Sequence, residues 1–179
     1  MKSCSISLRL ELIEEPNEMK TEVMKFNGTI KFTVKGCTKL PDTDSAFFNL
    51  VGKDLTDPLV AIEINGQEVF RTPYISNCLD PVWKEGNKHD YKAEDLEIKE
   101  ILFRVKDKET IGSETVGSKI FDADEMKALY TGKKEISGEY ALRTKSGIGE
   151  YLPEARLNLE IKYEPGEFAP TKDERIDKL

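Results

Sequence analysis

Residues 54–85, DLTDPLVAIEINGQEVFRTPYISNCLDPVWKE, carry the pattern that decides the fold. They read as strand, turn, strand, loop, strand. Asp57-Pro58 opens the first run, and Val69, Phe70 and Thr72 lie in the second. Asn65-Gly66 between two β-prone runs predicts a tight hairpin, because a type I′ turn needs positive φ at both central residues. Asp80-Pro81-Val82-Trp83 is expected to start a third strand ending in Lys84-Glu85, since proline is tolerated where no ladder N–H is required. Trp83 in such a strand start is expected in the core.

Alternation continues on both sides of this stretch. Residues 5–13 place Ile6, Leu8, Leu10 and Leu12 on one face and Ser5, Ser7, Arg9 and Glu11 on the other, a half-buried strand. Residues 28–35 alternate through Ile30, Phe32 and Val34, residues 98–106 through Ile101, Phe103 and Val105, and residues 155–163 through Leu157, Leu159 and Ile161. Residues 115–121 and 138–142 read as further strands. The polar run at 87–97 is expected to be a strand end and loop. Residues 122–130, DADEMKALY, form the one good helical stretch, with Asp122 at its start and Gly132 just past its end. Residues 36–57 make a long loop, and length of that kind is usually functional or disordered. Eight or nine short strands with one short helix predict an all-β, eight-stranded antiparallel Greek-key sandwich with an extra N-terminal strand. The expected organisation is an N-terminal strand and linker over 1–25, one domain over 26–164, and a charged, disordered tail over 165–179.

Composition narrows the function classes. The chain has 179 residues, 34 Asp and Glu against 27 Lys and Arg, and a net charge of −7. That charge excludes non-specific nucleic-acid binding and requires a local basic patch or a bridging cation for any anionic partner. No apolar run approaches a membrane span. The opening MKSCSISLRLEL lacks a signal-peptide core, and Lys2 stands where myristoylation needs glycine. Cys4, Cys37 and Cys78 fit neither a disulfide framework nor a zinc site, so a reducing cytoplasmic setting is expected. His89 is the sole histidine. It has no nucleophile context and reads as a surface or partly packed side chain, and no phosphate-cradling glycine motif is present. The chain is expected not to be an enzyme.

Several motifs in order resemble the C2 domain family across roughly residues 26–163. GTIKFTVKGCTKLP (28–41) resembles its opening strand, TDPLVAIEI (56–64) its S-D-P-Y-V-x-V, VFRT (69–72) its K-T strand, and LDPVWKE (79–85) its N-P-V-W-N-E. IKEILFRVKDKE (98–109) and SETVGSKIF (113–121) resemble the following strand, acidic loop and strand. Leu59 replaces the usual tyrosine. Phe26-Asn27-Gly28 is similar to the opening of the novel protein kinase C type, in which the strand order is permuted. The resemblance implies three loops at one end of the sandwich, Ca²⁺ binding, and attachment to an anionic phospholipid membrane. In the permuted order the extra strand follows at the C-terminus; in the other it precedes residue 28. This chain offers both 5–13 and 155–163, and SLRLELIEEP (7–16) echoes RLNLEIKYEP (156–165). One of the two is left as an added edge strand or a pairing surface for a protein partner.

The same resemblance assigns site residues. Asp44, with Asp42 as neighbour candidate, and Asp57 fall at the ligand positions of the first loop, and Asp107, Glu109 and Glu114 at those of the third. Oxygen-rich flexible loops suit Ca²⁺, a hard cation taking six to eight oxygen ligands. The sequence departs from the family in having glutamate at 109 and 114 and a third loop one residue shorter. A second reading of these acids is that they solvate loop ends, with Asp57 favouring a turn before Pro58. The insert SAFFNLVGKDL (45–55) offers Phe47 and Phe48 as membrane-contact residues, with Ile111 as the matching tip of the third loop; the other reading folds the phenylalanines back on the sandwich edge. At the family's phosphoinositide strand only Arg71 matches, and Glu68 intrudes, so weak preference is expected. The functional reading is a Ca²⁺-dependent peripheral membrane module. The alternatives are a Ca²⁺-independent protein-interaction module, or the regulatory fragment of a larger signalling enzyme.

Overall fold

The computed structural model describes residues 25–42, 55–109, 111–133, 135–144 and 150–166. Eight antiparallel strands follow in order: β1 (Lys25–Thr38), β2 (Pro58–Ile64), β3 (Gln67–Arg71), β4 (Lys88–Glu97), β5 (Ile101–Lys108), β6 (Ser113–Phe121), β7 (Glu135–Arg143) and β8 (Tyr151–Pro165). Helix α1 (Ala123–Ala128) and a π-helical turn (Leu129–Lys133) join β6 to β7. Spatial order is β3-β2-β5-β6-β7-β8-β1-β4. β6 and β7 share only the pair Ser118↔Arg143, and there the sheet folds over into two four-stranded layers. Between the layers Phe32 of β1 meets Phe103 of β5 edge to face at 6.0 Å. Phe121 of β6 meets Tyr140 of β7 at 5.0 Å along one side. Phe70 of β3 stacks on His89 of β4 at 5.0 Å along the other. His89 is thus partly packed.

The alternation read from sequence is the core. Ile30, Phe32 and Val34 of β1, Ile101, Phe103 and Val105 of β5, and Leu157, Leu159 and Ile161 of β8 are all buried. β2 is buried at every position. Its Glu63 is accommodated by an ion pair to Arg104 Nε at 2.7 Å, since a buried charge is tolerated only when partnered. Asn65 and Gly66 both take positive φ, +50° and +79°, as the hairpin required. Asp122 and Glu125 form a reciprocal capping box at the start of α1, which satisfies N–H groups that the first turn leaves open.

Three expectations change. The run from Pro81 is not a regular strand: Val82 makes an isolated bridge to Gly36. Its backbone does follow β1, with Cys37 N–H donating to Pro81 O, Trp83 N–H to Lys35 O and Val34 N–H to Asn87 O. Gly86, at φ +62°, bends it out of ladder geometry, and the buried Asn87 amide holds the bend by donating to Val34 O and Trp83 O. Trp83 is buried as expected, its indole N–H donating to Pro73 O at 2.8 Å. The polar run at 87–97 is a full edge strand, β4, paired with β1 from Lys25↔Glu97 to Thr33↔Lys88. Its alternation is hidden because only Ala93 is buried on it. The predicted helix is shorter than 122–130, and its last residues widen into the π turn.

β8 lies between β7 and β1. The C-terminal segment therefore fills the eighth strand position, which is the permuted order. The strand expected at 5–13 and the tail beyond Gly166 lie outside the described residues.

Candidate functional site

Three connectors meet at one end of the sandwich: the segments after β1, after β3 and after β5. Hydrogen bonds stitch them together. Leu40 N–H donates to Leu79 O and Cys78 N–H to Thr56 O. Thr56 Oγ1 donates to Pro41 O at 3.0 Å, Lys39 N–H to Asp80 Oδ1 at 2.8 Å, and Leu55 N–H to Asn77 Oδ1 at 2.8 Å. The Asp80-Pro81 motif thus pins the end of β1, where Lys39 takes positive φ.

Asp57 is the knot of this end. Its N–H donates to Asp107 Oδ1 at 2.7 Å. Its Oδ1 accepts from Asn77 N–H at 2.8 Å. Its carbonyl accepts from Lys108 N–H at 3.0 Å. Strand register explains why these residues converge: Pro58 lies opposite Asp107 across β2–β5, and Asp107 lies opposite Glu114 across β5–β6. Asp107 is buried at 1% exposure, whereas Glu109 and Glu114 are exposed.

Of the sequence candidates, then, Asp57, Asp107 and Glu114 are brought to one end, with Glu109 one residue past β5. Asp42 lies exposed at the beginning of the first loop. Asp44, Phe47 and Phe48 lie outside the described residues. Among the described residues no group of three or more His, Cys, Asp or Glu side chains comes together closely enough to hold a metal ion. The chemistry of the donors suits Ca²⁺, but Asp57 and Asp107 supply only part of its six to eight oxygens. The remainder would have to come from Glu109, Glu114, Asp44 or Asp42.

The third loop has a feature the sequence reading missed. Lys108 Nζ donates to the carbonyls of Glu109 and Gly112, and Glu109 N–H donates to Gly112 O at 3.3 Å. An ammonium thus closes this loop on its own carbonyls. Beside it Ile111 stands 93% exposed. The signal was a lysine set between two acids in Asp107-Lys108-Glu109, which invites reading as a charge run. Asn77 was missed too; its φ of +54° in the second connector marks a turn that its side chain fastens.

Arg71 is engaged. It forms a two-pronged pair with Glu68, Nε to Oε1 at 2.9 Å and Nη2 to Oε2 at 3.0 Å, and Lys106 Nζ reaches the same carboxylate at 3.3 Å. The hydrogen bond from Arg71, ahead of opposing desolvation, holds the Glu68 carboxyl below its ordinary range.

The geometry defines a β-sandwich that carries its candidate site on loops at one end, the arrangement of a binding module. The family model described as C2 domain matches residues 28–142, more than half of the chain, and the chain belongs to the C2 domain family. C2 domains generally bind membrane lipids or proteins. Phospholipase D beta 2 of Arabidopsis thaliana is 28% identical over 157 residues, covering 79% of this chain and 16% of the relative. Phospholipase D beta 1 of the same organism is 32% identical over 116 residues, covering 65% of this chain and 10% of the relative. The chain therefore spans less than a fifth of the length of these curated relatives. Among solved structures, the calcium-bound pair of C2 domains of Extended-Synaptotagmin 2 superposes with a TM-score of 0.61 at 18% identity, over 80% of this chain and 47% of that one. A single C2 domain of plant Extended Synaptotagmin 1 gives 0.57 at 20%, over 80% and 98%. These structural likenesses show the shared fold.

Proposed function

We propose that this chain is a membrane-docking C2 module that attaches through the loop end carrying Asp57, Asp107, Glu109 and Glu114, with Ca²⁺ as the bridging ion. The observation that carries the reading is the junction of Asp57 and Asp107 beside the exposed tip Ile111. Asp57, Asp107, Glu109 and Glu114, together with Asp44, would hold the ion. Bound there, a divalent cation supplies the positive charge that an acidic end lacks toward lipid phosphate or carboxylate. The chain's own residues do the rest. Asp57 and Asp107 fix the base of the loops by taking backbone N–H groups, and Ile111 offers apolar surface to the acyl boundary. Arg71, paired with Glu68, contributes little to phosphoinositide binding. No helix among the described residues is long and apolar enough to cross a membrane. The attachment in this reading is peripheral, at a cytoplasmic membrane face. Likeness to a tenth to a sixth of two phospholipases D supports a further step: the module positions a larger enzyme at its membrane.

A second reading is favoured by Lys108. With an ammonium already closing the third loop, the module docks partly without Ca²⁺, and the acids are loop fasteners. Sedimentation on vesicles containing phosphatidylserine, in EGTA and then in Ca²⁺, tests both. Ca²⁺-dependent sedimentation lost in Asp107→Asn supports the first reading. Equal sedimentation in EGTA and Ca²⁺ supports the second. No sedimentation under either condition overturns membrane docking.

A further inference from the structure

We propose that the open edge of β7, at the seam with β6, takes an extended basic segment of a partner protein as an added strand. This site is separate from the loop-end reading and stands independently of it. β7 pairs with β8 along its length, from Glu135↔Lys162 to Arg143↔Tyr151. Toward β6 it pairs only at Ser118↔Arg143. Among the described residues, then, the other edge of β7 before Ala141 carries no ladder. An unpaired strand edge is a template for main-chain pairing.

Two open hollows lie beside that edge. A cleft of about 500 Å³ opens between Lys119, Asp122, Glu125, Glu139, Arg143 and Tyr151. A second hollow of about 420 Å³ shares Glu125 and Tyr140 with it and has Ala128 and Ile136 as apolar lining. Along β7 the side chains alternate: Glu135, Ser137 and Glu139 are exposed, and Ile136 and Tyr140 are half-buried. Gly138, at φ +142°, has no atom within 4 Å of its would-be Cβ, so the face of β7 is open at its middle between Ile136 and Tyr140. An added strand would lay alternate apolar side chains over Ile136 and Tyr140 and direct the others toward the acids.

Charge commits the occupant. The linings of the two hollows include Asp122, Glu125, Glu135 and Glu139. Asp122 caps α1 and Glu125 is held by Lys119, which leaves Glu139 and the loosely paired Glu135 for an incoming cation. The two cations in the lining are already engaged. Lys119 Nζ bonds both oxygens of Glu125, at 2.8 and 3.0 Å. Arg143 stacks on the Tyr151 ring at 4.0 Å and donates to its hydroxyl at 2.6 Å. Glu135 has a loose pair to Lys162 at 3.8 Å, itself shared with Glu160. Glu139 makes no ion pair among the described residues. The lining therefore selects lysine or arginine. The chain's own ends have the opposite sign: residues 1–24 hold five glutamates against Lys2, Arg9 and Lys20, and residues 167–179 hold four acids against three bases. A partner of basic, alternating sequence fits better than either.

The test uses the full chain in EGTA, so that the loop end is not involved. The probe is a capped octapeptide alternating lysine with valine, and its control is the same peptide with glutamate for lysine. Fluorescence anisotropy should give binding that weakens with salt. Amide exchange should show new protection over 135–141, and Glu139→Lys should weaken binding by about tenfold, as reversal of a contacting charge does, with an unchanged melting temperature. The proposal is overturned by equal binding of the glutamate peptide, by binding without protection in β7, or by β7 amides already fully protected before peptide is added, which would mean that the chain's own terminal segment holds the edge.

Discussion

The backbone N–H of Asp57 donates to the carboxylate of Asp107 across the β2–β5 register at 2.7 Å. A buried acceptor in that position is structural as well as chemical. Removing it strands the part-buried Asp57 N–H, and leaving such a donor unsatisfied costs at most about 1–3 kcal/mol. Asp107→Ala should therefore lower unfolding stability in urea by up to that amount. Asp107→Asn keeps an oxygen acceptor in place and removes the charge, so it should lose much less. The pair separates two roles. If the asparagine variant is as unstable as the alanine variant, the carboxylate charge itself holds the loops.

Linkage gives the metal prediction. A ligand that binds only the native state raises the melting temperature. Melting in EGTA, then Ca²⁺, then Mg²⁺ should show a rise specific to Ca²⁺ in the parent chain and none in Asp107→Asn. A parent chain that melts identically up to millimolar Ca²⁺ leaves Lys108 as the cation of the third loop and its acids as fasteners.

Ile111 touches little and stands 93% exposed. Its replacement has no packing to lose, so Ile111→Ser should leave the melting temperature unchanged. Full burial of such a side chain contributes about 1.5–3 kcal/mol, and each 1.4 kcal/mol is about tenfold in partition. Vesicle binding should drop about tenfold or more if the tip enters the acyl boundary. Unchanged sedimentation would remove Ile111 from the docking surface.

Much of this was legible in the sequence because period-two alternation is local. Ile30, Phe32 and Val34, or Leu157, Leu159 and Ile161, declare a buried face without reference to any other strand. The Asn65-Gly66 turn and the Asp122–Glu125 cap are equally local. What was not legible depends on pairing. β4 hides among Lys88, Asp90 and Lys92 because an edge strand buries so little of itself. The run from Asp80 to Glu85, read as a strand, ends in a bend at Gly86 that is set by the Asn87 amide reaching Val34, fifty-three positions away. The candidate acids could be named from motif order, but the stitching by Asn77 and the closure by Lys108 are bonds from side chains to backbone groups that only the folded loops bring within reach.

Glu68 gives a pH prediction with a definite sign. Its folded pKa lies below the ordinary 4.5, chiefly through the hydrogen bond from Arg71. A carboxylate shifted downward stabilises the fold fully above its unfolded value, and the contribution is lost as pH falls through the folded value. The side chain is 34% exposed, so solvent screening keeps the contribution below about 1 kcal/mol. Glu68→Gln should be slightly less stable than the parent at pH 7, with the gap closing as pH falls below the ordinary 4.5. The same pairing predicts that Arg71→Ala changes binding to phosphoinositide vesicles by less than about twofold, under what one free basic group near an anionic surface contributes.

Gly28 tests the strand order itself. It sits at the bulge where β1 changes partner register, opposite Pro165 of β8. Its φ is +143°, and a Cβ there would run into Glu164 O and stand 2.6 Å from Gly166 N. Both obstacles are backbone, so neither can rotate away. Gly28→Ala must displace the end of β8 or twist β1 out of an unfavourable conformation, and strained backbone of this kind costs about 1–3 kcal/mol per residue. Gly66 is the internal control: its φ is also positive, +79°, but nothing lies within 4 Å, so Gly66→Ala bears the conformational cost of about 1–2 kcal/mol without a clash. Amide exchange then distinguishes them. Gly28→Ala should open residues 161–165 of β8 and the facing part of β1, while Gly66→Ala should perturb only the β2–β3 hairpin. Equal, hairpin-like behaviour of both variants would mean that β8 is not locked beside β1, and the eighth strand position would return to the amphipathic segment at 5–13.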